Sequence, residues 1–221
     1  MRGFVSKKSI TNSDIVEFLS STTANATFLQ KLKIKYRPYV CPFDELLQYA
    51  KSSDKLYDIG CGSGQFAALA AQFTDVKTIK GIEVDKHLVN NAKQINERFS
   101  KKSMSFSYFT GSIIPSDINK YDLIYMIDVY HHIPKDIRQD FMKQVYKKMK
   151  PGARLIFKDI DAGSIFIPFN KAHDLIFAQE LPREISYYKA IQLLTFLGFK
   201  IIEARKKRVF VYPHYFIVAQ K

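Results

Sequence analysis

Short β-rich runs alternate with helical patterns through the middle of the chain, and this alternation constrains the fold more than any other feature. The strand candidates are Lys55–Ile59, Thr78–Glu83, Met104–Phe109, Asp122–Ile127 and Ala153–Asp159. The helix candidates between them are Gln65–Phe73, Lys86–Phe99 and Lys135–Met149. Such alternation predicts a mostly parallel sheet covered by helices on both faces, which is a doubly wound α/β fold.

The two ends of the chain depart from this alternation. Residues from about 11 to 30 carry spaced apolar positions, which predict a short N-terminal helical cap. An irregular aromatic segment, Gly163–Glu180, follows the fifth strand, and a helix near Ser186–Leu197 ends at Gly198. The last strand candidates are Phe199–Ala204 and His214–Ala219. They are close enough in sequence to form an antiparallel pair, which completes a seven-stranded sheet.

Composition and charge fit one domain with an unusual surface. The chain has 221 residues, and 34 Lys and Arg against 21 Asp and Glu give a net charge of +13. That field favours nucleic acid, an anionic membrane surface or an acidic substrate, although a solvated lysine-rich surface gives the same count. Two cysteines cannot make a disulfide framework or a four-cysteine zinc site. No secretory leader or membrane-spanning apolar run is recognised, so we expect a cytoplasmic location.

A glycine-rich turn after the first strand predicts a ligand site. The turn reads Asp58-Ile59-Gly60-Cys61-Gly62-Ser63-Gly64. Its glycines let the backbone turn tightly and approach a ligand, and nucleotide-like ligands bind at this turn of doubly wound sheets. Glu83 ends the second strand at the offset where an acidic residue accepts hydrogen bonds from ribose hydroxyls. Together these features predict a cofactor that contains adenosine.

The glycine spacing distinguishes between such cofactors. A dinucleotide site has a third glycine three residues after the second, so that a pyrophosphate rests on the helix N-terminus. Here Gly60, Gly62 and Gly64 alternate, and the Asp58 carboxylate precedes them. A carboxylate at this position suits an ammonium or a sulfonium better than a pyrophosphate. A nicotinamide-dependent dehydrogenase is therefore the poorer interpretation.

At these residues the chain resembles motif I of the class I S-adenosylmethionine-dependent methyltransferases, in particular small stand-alone bacterial enzymes. Other stretches resemble later motifs in the family's order: Gly81–Asp85, Tyr121–His132 and Lys150–Ile156. The resemblance implies one methyltransferase domain over residues 1–221. Its parts would be a cap over 1–51, a cofactor-binding core over 52–161, and a lid, last helix and terminal hairpin over 162–221.

The resemblance also implies a role for individual residues. The implied cofactor-binding residues are Asp58, Gly60, Cys61, Gly62, Gly64, Glu83, Val84, Ser112, Ile113, Met126 and Asp128. Asp58 would lie near the amine of the cofactor, Glu83 would bind its ribose, and Val84 would flank its adenine. Ser112 departs from the family pattern, which often has an aspartate there. Met126 and Asp128 would line the methionine portion and the reacting methyl group.

Methyl transfer is an in-line displacement that requires alignment, and a base where the acceptor carries a proton. His131 is the candidate base because it closely follows the fourth strand, although it alternatively caps the loop before Pro134. Asp128 is a second catalytic candidate: it acts as base, orients a histidine or holds the cofactor amine. Three charged residues follow the fifth strand at the sheet edge where substrates bind: Lys158, Asp159 and Asp161. They are interpreted as turn and surface residues, with a role toward the substrate as the alternative. No residue cluster indicates a metal site.

The predicted function is therefore methyl transfer from S-adenosylmethionine, with S-adenosylhomocysteine as product, to a small-molecule oxygen, nitrogen or carbon nucleophile. An acidic or lipid-like acceptor would fit the charge. Two alternatives stay open. An RNA methyltransferase would use the basic surface, but no RNA-binding module is recognised. A non-catalytic binding protein would keep the fold without the reaction.

Overall fold

The computed structural model describes residues 10–22, 41–50, 54–99, 101–164 and 184–221. The strands are β1 (Lys55–Ile59), β2 (Thr78–Glu83), β3 (Ser103–Tyr108), β4 (Leu123–Ile127), β5 (Arg154–Ile160), β6 (Lys200–Val209) and β7 (Tyr212–Gln220). The α-helices are α1 (Asn12–Thr22), α2 (Phe43–Leu47), α3 (Gln65–Phe73), α4 (Lys86–Asn96), α5 (Arg138–Lys148) and α6 (Tyr187–Phe196). Single 3₁₀ turns cover Ser116–Lys120 and Tyr130–His132.

The seven strands form one sheet in the order β3-β2-β1-β4-β5-β7-β6. The first five are parallel to their neighbours, and β7 runs antiparallel to both β5 and β6. The predicted fold class, a mostly parallel sheet with an antiparallel C-terminal strand, is confirmed. Because β1 to β5 are parallel, their carboxyl ends lie along one edge of the sheet. The start of β7 lies at the same edge, since Ile160 pairs with His214.

Both faces of the sheet are buried. On one face, Leu56, Tyr125 and Phe216 pack with residues of α1, α2 and α3. On the other face, Ile124 and Phe157 pack with residues of α5 and α6. All five residues of β4 are buried, as expected for a central strand covered on both sides. This double cover makes the centre of the sheet a rigid base for the loops at its carboxyl edge.

The helix boundaries follow from local capping. The Asp85 side chain accepts hydrogen bonds from the backbone N–H groups of His87 and Leu88, at 2.7 and 3.3 Å, and so starts α4 at Lys86 as predicted. By contrast, α5 starts at Arg138 rather than at the predicted Lys135. A turn precedes it, because the Pro134 carbonyl accepts hydrogen bonds from two following N–H groups. The predicted ends of α4 at Phe99 and α5 at Met149 were also too late.

The helix α1, which belongs to the predicted cap, packs against the hydrophobic core on one face of the sheet. Thr11 and Asp14 cap α1 reciprocally: Oδ2 of Asp14 accepts from the Thr11 N–H at 2.8 Å, and Thr11 Oγ1 accepts from the Asp14 N–H at 3.2 Å. The Phe18 ring lies edge-on to Phe73 at 5.7 Å between centroids. The rest of the predicted cap up to residue 40, and residues 165–183 at the start of the predicted lid, last helix and hairpin, lie outside the described residues. The division into cap, core and lid stays a prediction.

Candidate active site

The turn between β1 and α3 is a left-handed glycine loop. Gly60, Gly62 and Gly64 have φ angles of +71°, +54° and +78°, which side chains rarely adopt. A Cβ atom on Gly60 would lie 2.5 Å from Cγ2 of Val129, so the loop after β4 touches this backbone directly. A Cβ atom on Gly62 would meet nothing within 4 Å, which leaves that side of the loop open to a ligand.

Two buried carboxylates stand beside this loop and differ in their partners. Glu83 accepts hydrogen bonds from the backbone N–H groups of Gly62 at 2.8 Å, Val84 at 2.7 Å and Asp85 at 3.2 Å. The Asp58 carboxylate has no hydrogen-bond partner among the described residues. Burial raises the pKa of Asp58 to about 8, and the charge of Glu83 adds to the increase. An ammonium group is the partner that would restore its charge.

Cys61 is a packing residue of the loop. Its side chain is buried, and a Cβ atom on Gly81 of β2 would lie 2.6 Å from its Sγ atom. Burial, followed by the charges of Asp58 and Glu83, raises the pKa of the thiol far above its usual value, so the thiol stays neutral. Sequence reasoning missed Gly81 as a site residue. The available signal was a glycine inside a strand, which marks a close approach of another chain segment.

Exposed aliphatic side chains flank the carboxyl ends of β2 and β3. Val84 and Ile113 are both more than half exposed, and a Cβ atom on Gly111 would lie 3.2 Å from Cγ1 of Val84. Ser112 is also exposed, and its Oγ lies 3.4 Å from the hydroxyl of Thr110. Apolar side chains open to solvent beside Glu83 are suited to cover the faces of a planar ring.

Asp128 and Lys158 form an ion pair where β4 and β5 end, and the Asp128 side chain is 22% exposed. The ammonium of Lys158 lies 2.6 Å from both carboxylate oxygens of Asp128, and its side chain is fully buried. Burial alone would raise the pKa of Asp128, but Lys158 and two histidines hold this pKa below its usual range. Asp128 has a φ of +55°, a strained value for a residue with a side chain. Its carboxylate is therefore occupied by Lys158.

His131 is held by a second buried carboxylate on β5. Its Nδ1 lies 2.5 Å from Oδ1 of Asp159, and its backbone N–H donates to Oδ2 of the same residue at 3.3 Å. Buried Arg138 fixes the same loop by donating to the carbonyls of His131 at 2.9 Å and Ile133 at 2.6 Å. Asp159 thus orients the imidazole, and Arg138 holds the backbone of its loop.

The interpretation of Lys158, Asp159 and Asp161 as turn and surface residues was wrong. The first two belong to β5, which extends to Ile160, and the side chains of all three are buried. Each charge is tolerated because another group compensates it. Asp161, for example, accepts from the N–H groups of Gly163 at 3.0 Å and Tyr187 at 2.9 Å. Tyr187 is 26 residues from Asp161, and the partners of Lys158 and Asp159 are 30 and 28 residues away, so only the fold brings these groups together.

Met126 differs from the other predicted cofactor residues in its placement. Its side chain is fully buried among apolar residues such as Ile59 and Ile124 of the sheet. Only its backbone is therefore placed to meet a ligand at the edge. Two further polar side chains lie close by without having been predicted as site residues: buried His214, and the buried hydroxyl of Tyr215, which lacks a hydrogen-bond partner among the described residues.

The site contains no cluster typical of a metal centre. In the described ranges, no three or more His, Cys, Asp or Glu side chains are arranged to hold a metal ion. Nor does any helix of these ranges have the length and apolar character needed to cross a membrane. The cytoplasmic location stays a prediction.

The sheet order, the left-handed glycine loop and the acidic end of β2 together define a class I, Rossmann-like S-adenosylmethionine-binding protein. The chain belongs to the methyltransferase family whose model, described as a methyltransferase domain, matches residues 34–203. The predicted family and its cofactor, S-adenosylmethionine, are confirmed. The residues fit this cofactor, because Asp58 is buried with no hydrogen-bond partner in the part of the chain that the structure describes, and the backbone at Gly62 is open to a cationic, adenosine-containing ligand.

Relatives and solved structures agree with this family. An O-methyltransferase of Pyrenophora dematioidea is 29% identical over 165 residues, which are 72% of this chain and 58% of the relative. A 27-O-demethylrifamycin SV methyltransferase of Amycolatopsis mediterranei is 29% identical over 49% of this chain and 39% of the relative. The match thus spans less than two thirds of each of these curated relatives. Magnesium protoporphyrin IX methyltransferase (ChlM) from Synechocystis PCC 6803, solved with bound SAH, has a TM-score of 0.67 at 16% identity, covering 96% of this chain and all of that one.

Proposed function

We propose that this protein transfers a methyl group from S-adenosylmethionine to a hydroxyl oxygen of a small-molecule acceptor. The observation that carries the proposal is the His131–Asp159 pair at the carboxyl edge of the sheet. It supplies an oriented base beside the predicted cofactor loop. The two relatives described above act on oxygen by name, which supports the same choice of acceptor atom.

The cofactor would be held by the residues beside β1 and β2. Asp58 would pair with its ammonium, and Gly60 and Gly62 would offer open backbone to its methionine portion. Glu83 would bind the ribose hydroxyls, and Val84 and Ile113 would cover the adenine. When bound, the cofactor supplies a methyl group on a sulfonium, which is a good leaving group for in-line displacement.

His131 would take the proton of the acceptor hydroxyl. With Nδ1–H donating to Asp159, the other ring nitrogen, Nε2, is the basic atom. The negative charge of Asp159 stabilises the imidazolium that forms, and the second contact, from the His131 N–H to Asp159, keeps the ring from reorienting. The pair therefore both activates the hydroxyl and fixes its direction of attack.

Asp128 would have a positioning role in this scheme. Because Lys158 contacts both of its carboxylate oxygens, Asp128 is poorly placed to act as a base or to hold the cofactor amine. Its left-handed backbone directs the chain back toward the glycine loop, where Val129 contacts Gly60. The ion pair would thus fix the position of the loop after β4, which leads to His131, relative to the glycine loop that would bind the cofactor.

His131→Gln tests the role of the base. Losing a general base slows transfer by about a hundred- to ten-thousandfold, whereas the affinity for S-adenosylmethionine should stay within about twofold of the wild type. Formation of S-adenosylhomocysteine would be measured with a panel of phenols, hydroxylated macrolactones and bulk tRNA, and cofactor affinity by calorimetry. Asp159→Asn should reproduce the loss, and His132→Gln on the adjacent histidine is the matched control. Full activity of His131→Gln would refute the proposed base.

RNA methylation is the second candidate, and the net charge of +13 favours it. Several of the described cations, however, are paired with carboxylates, such as Arg154 with Asp54 at 2.7 Å and Lys206 with Asp161 at 2.7 Å. The cations in such pairs would contact phosphates less directly, although the net charge of +13 already counts the carboxylates. Methylation of tRNA but of no small molecule in the same panel would favour this candidate.

A further inference from the structure

The hairpin between β6 and β7 places its turn at the edge that carries the candidate site. β7 pairs antiparallel with β5, and the backbone N–H of Asp161 donates to the carbonyl of Pro213 at 2.7 Å. Val209 pairs with Tyr212, so the turn consists of Phe210 and Val211. The tip of the hairpin therefore lies beside the end of β5, where His131 and the acceptor site are held.

Phe210 is an unexpected residue for this turn. Its φ angle is +53°, and its side chain is 74% exposed. Two-residue hairpin turns that require a positive φ strongly prefer glycine, asparagine or aspartate, because a bulky side chain is strained there. Local folding thus disfavours a phenylalanine at this position, and exposure of its ring to water is a second unfavourable feature. A strained backbone combined with an exposed ring at a site edge indicates a binding role.

Cations and a second exposed aromatic ring surround this tip. Lys206 and Arg208 are exposed and alternate along β6, so they project from the same face. The Lys206 ammonium lies 5.2 Å from the ring centroid of Tyr188, which is 67% exposed at the start of α6. Lys189 follows it and is also exposed. We call these five residues, Tyr188, Lys189, Lys206, Arg208 and Phe210, the hairpin face.

We propose that the hairpin face docks on an anionic lipid surface. Phe210 and Val211 would enter the interfacial layer, where aromatic side chains partition favourably. Lys189 and Arg208 would meet anionic headgroups, toward which positively charged side chains are attracted. Lys206 is paired with Asp161 at 2.7 Å and would add less to this attraction. A base could stack on the Phe210 ring, but the neighbouring Val211 offers a nucleotide neither a ring nor a hydrogen bond, so the turn as a whole suits lipid better than RNA.

The docking deepens the proposed function by naming an acceptor class. Since the hairpin face adjoins the acceptor edge, the docked protein would meet acceptors that reside in the lipid, namely amphipathic hydroxyl compounds. This consequence rests on the proposed methyl transfer, whereas the docking itself does not. Binding to lipid and transfer of methyl groups are therefore measured separately.

Co-sedimentation of the full chain with vesicles tests the docking. Vesicles of phosphatidylcholine with phosphatidylglycerol should bind the wild type, and binding should fall as salt is raised. Vesicles of phosphatidylcholine alone should bind it more weakly. Phe210→Asp should weaken binding by about tenfold or more, as expected for loss of a buried aromatic side chain. Phe196→Asp is the matched control, because Phe196 is 75% exposed at the far end of α6, near the opposite edge of the sheet.

A glycine variant separates binding from folding. Phe210→Gly should raise the melting temperature, because glycine adopts a positive φ without strain, and should still weaken vesicle binding. Lys189→Glu with Arg208→Glu should remove the preference for phosphatidylglycerol.

Absence of vesicle binding by the wild type would overturn the proposal, as would equal loss in Phe210→Asp and Phe196→Asp. Binding of bulk tRNA that Phe210→Asp abolishes, with no vesicle binding, would assign the hairpin face to nucleic acid. S-adenosylmethionine affinity, measured on the same variants, should be unchanged.

Discussion

Two carboxylates at the carboxyl edge of the sheet differ in the partners that stabilise their charge: Asp58 at the end of β1 and Asp128 after β4. Asp58 is buried with no hydrogen-bond partner among the described residues, and its pKa is raised to about 8. Asp128 is occupied on both oxygens by Lys158, and its pKa is lowered. The Asp58 carboxylate would thus gain its cation from a ligand, whereas the Asp128 carboxylate already has one within the protein.

This difference corresponds to two tasks. A cofactor site that binds and releases a charged ligand benefits from a carboxylate whose charge is restored by that ligand. An acceptor site has to direct a displacement along one line, so its groups are held in place before the acceptor arrives. The variants below test whether the two regions behave in these different ways.

The largest effect is expected in the acceptor region. Lys158→Met leaves the Asp128 carboxylate without its cation and should lower the free energy of unfolding by about 3–5 kcal/mol. The double variant Lys158→Met with Asp128→Gly should recover most of this loss, because it removes the stranded charge and glycine accepts the φ of +55°. Denaturant unfolding measures both. A loss below about 1 kcal/mol in the single variant would contradict the account of a self-contained acceptor region.

The next effect is expected in the cofactor region. Glu83→Ala removes a charged hydrogen-bond acceptor and should weaken S-adenosylmethionine binding by about ten- to a hundredfold. Asp85→Ala on the neighbouring residue is the control: it removes the cap of α4 and should lower stability with little change in affinity. Calorimetry measures the affinity and thermal unfolding measures the stability. Equal affinity losses in the two variants would indicate a general disturbance of the loop.

The raised pKa of Asp58 predicts pH-dependent binding. The ligand ammonium pairs with the charged carboxylate, so binding lowers the pKa of Asp58 and releases a proton. S-adenosylmethionine affinity should therefore fall by up to tenfold per pH unit as the pH is lowered below about 8. Calorimetry in buffers of different ionisation enthalpy measures the released proton. Asp58→Asn should remove both the proton release and this pH dependence; their persistence in that variant would assign them to another group.

The smallest effect concerns the adenine side. Ser112→Asp restores the residue that the family often has at this position, on an exposed loop with room for it. One added hydrogen bond to the adenine amino group should strengthen S-adenosylmethionine binding by about two- to tenfold. The same substitution at neighbouring Thr110 should not. No gain in Ser112→Asp would mean that the adenine is bound away from this loop.

The cofactor region could be predicted from the sequence because its signals are local. The strands β1 and β2 and the helix α3 have the bounds that the sequence predicted. A glycine follows β1, an acidic residue ends β2, and α3 contains no glycine or proline. Asp58, the glycine loop and Glu83 follow directly from those elements. The strained Asp128 and the packing of Cys61 on Gly81 were not apparent, because both depend on contacts between neighbouring strands.

The acceptor region was harder to predict because its pairs are far apart in sequence. Lys158 pairs with Asp128 and Asp159 with His131 only because β4 and β5 are adjacent and parallel, with Ile127 opposite Lys158. Without that register, charged residues near a predicted strand end are interpreted as turn and surface residues. The hairpin face was also missed, since no sequence pattern shows that Phe210 adopts a positive φ.

The central claim is that the cofactor region and the acceptor region at the carboxyl edge of the sheet have separate tasks. Calorimetric titration of S-adenosylmethionine into the wild type, Asp58→Asn and His131→Gln tests it most directly. The account predicts that Asp58→Asn weakens binding by about tenfold or more and that His131→Gln leaves it unchanged. Equal affinities for the wild type and Asp58→Asn, or a comparable loss in His131→Gln, would contradict it, because cofactor binding would then not depend specifically on the Asp58 carboxylate.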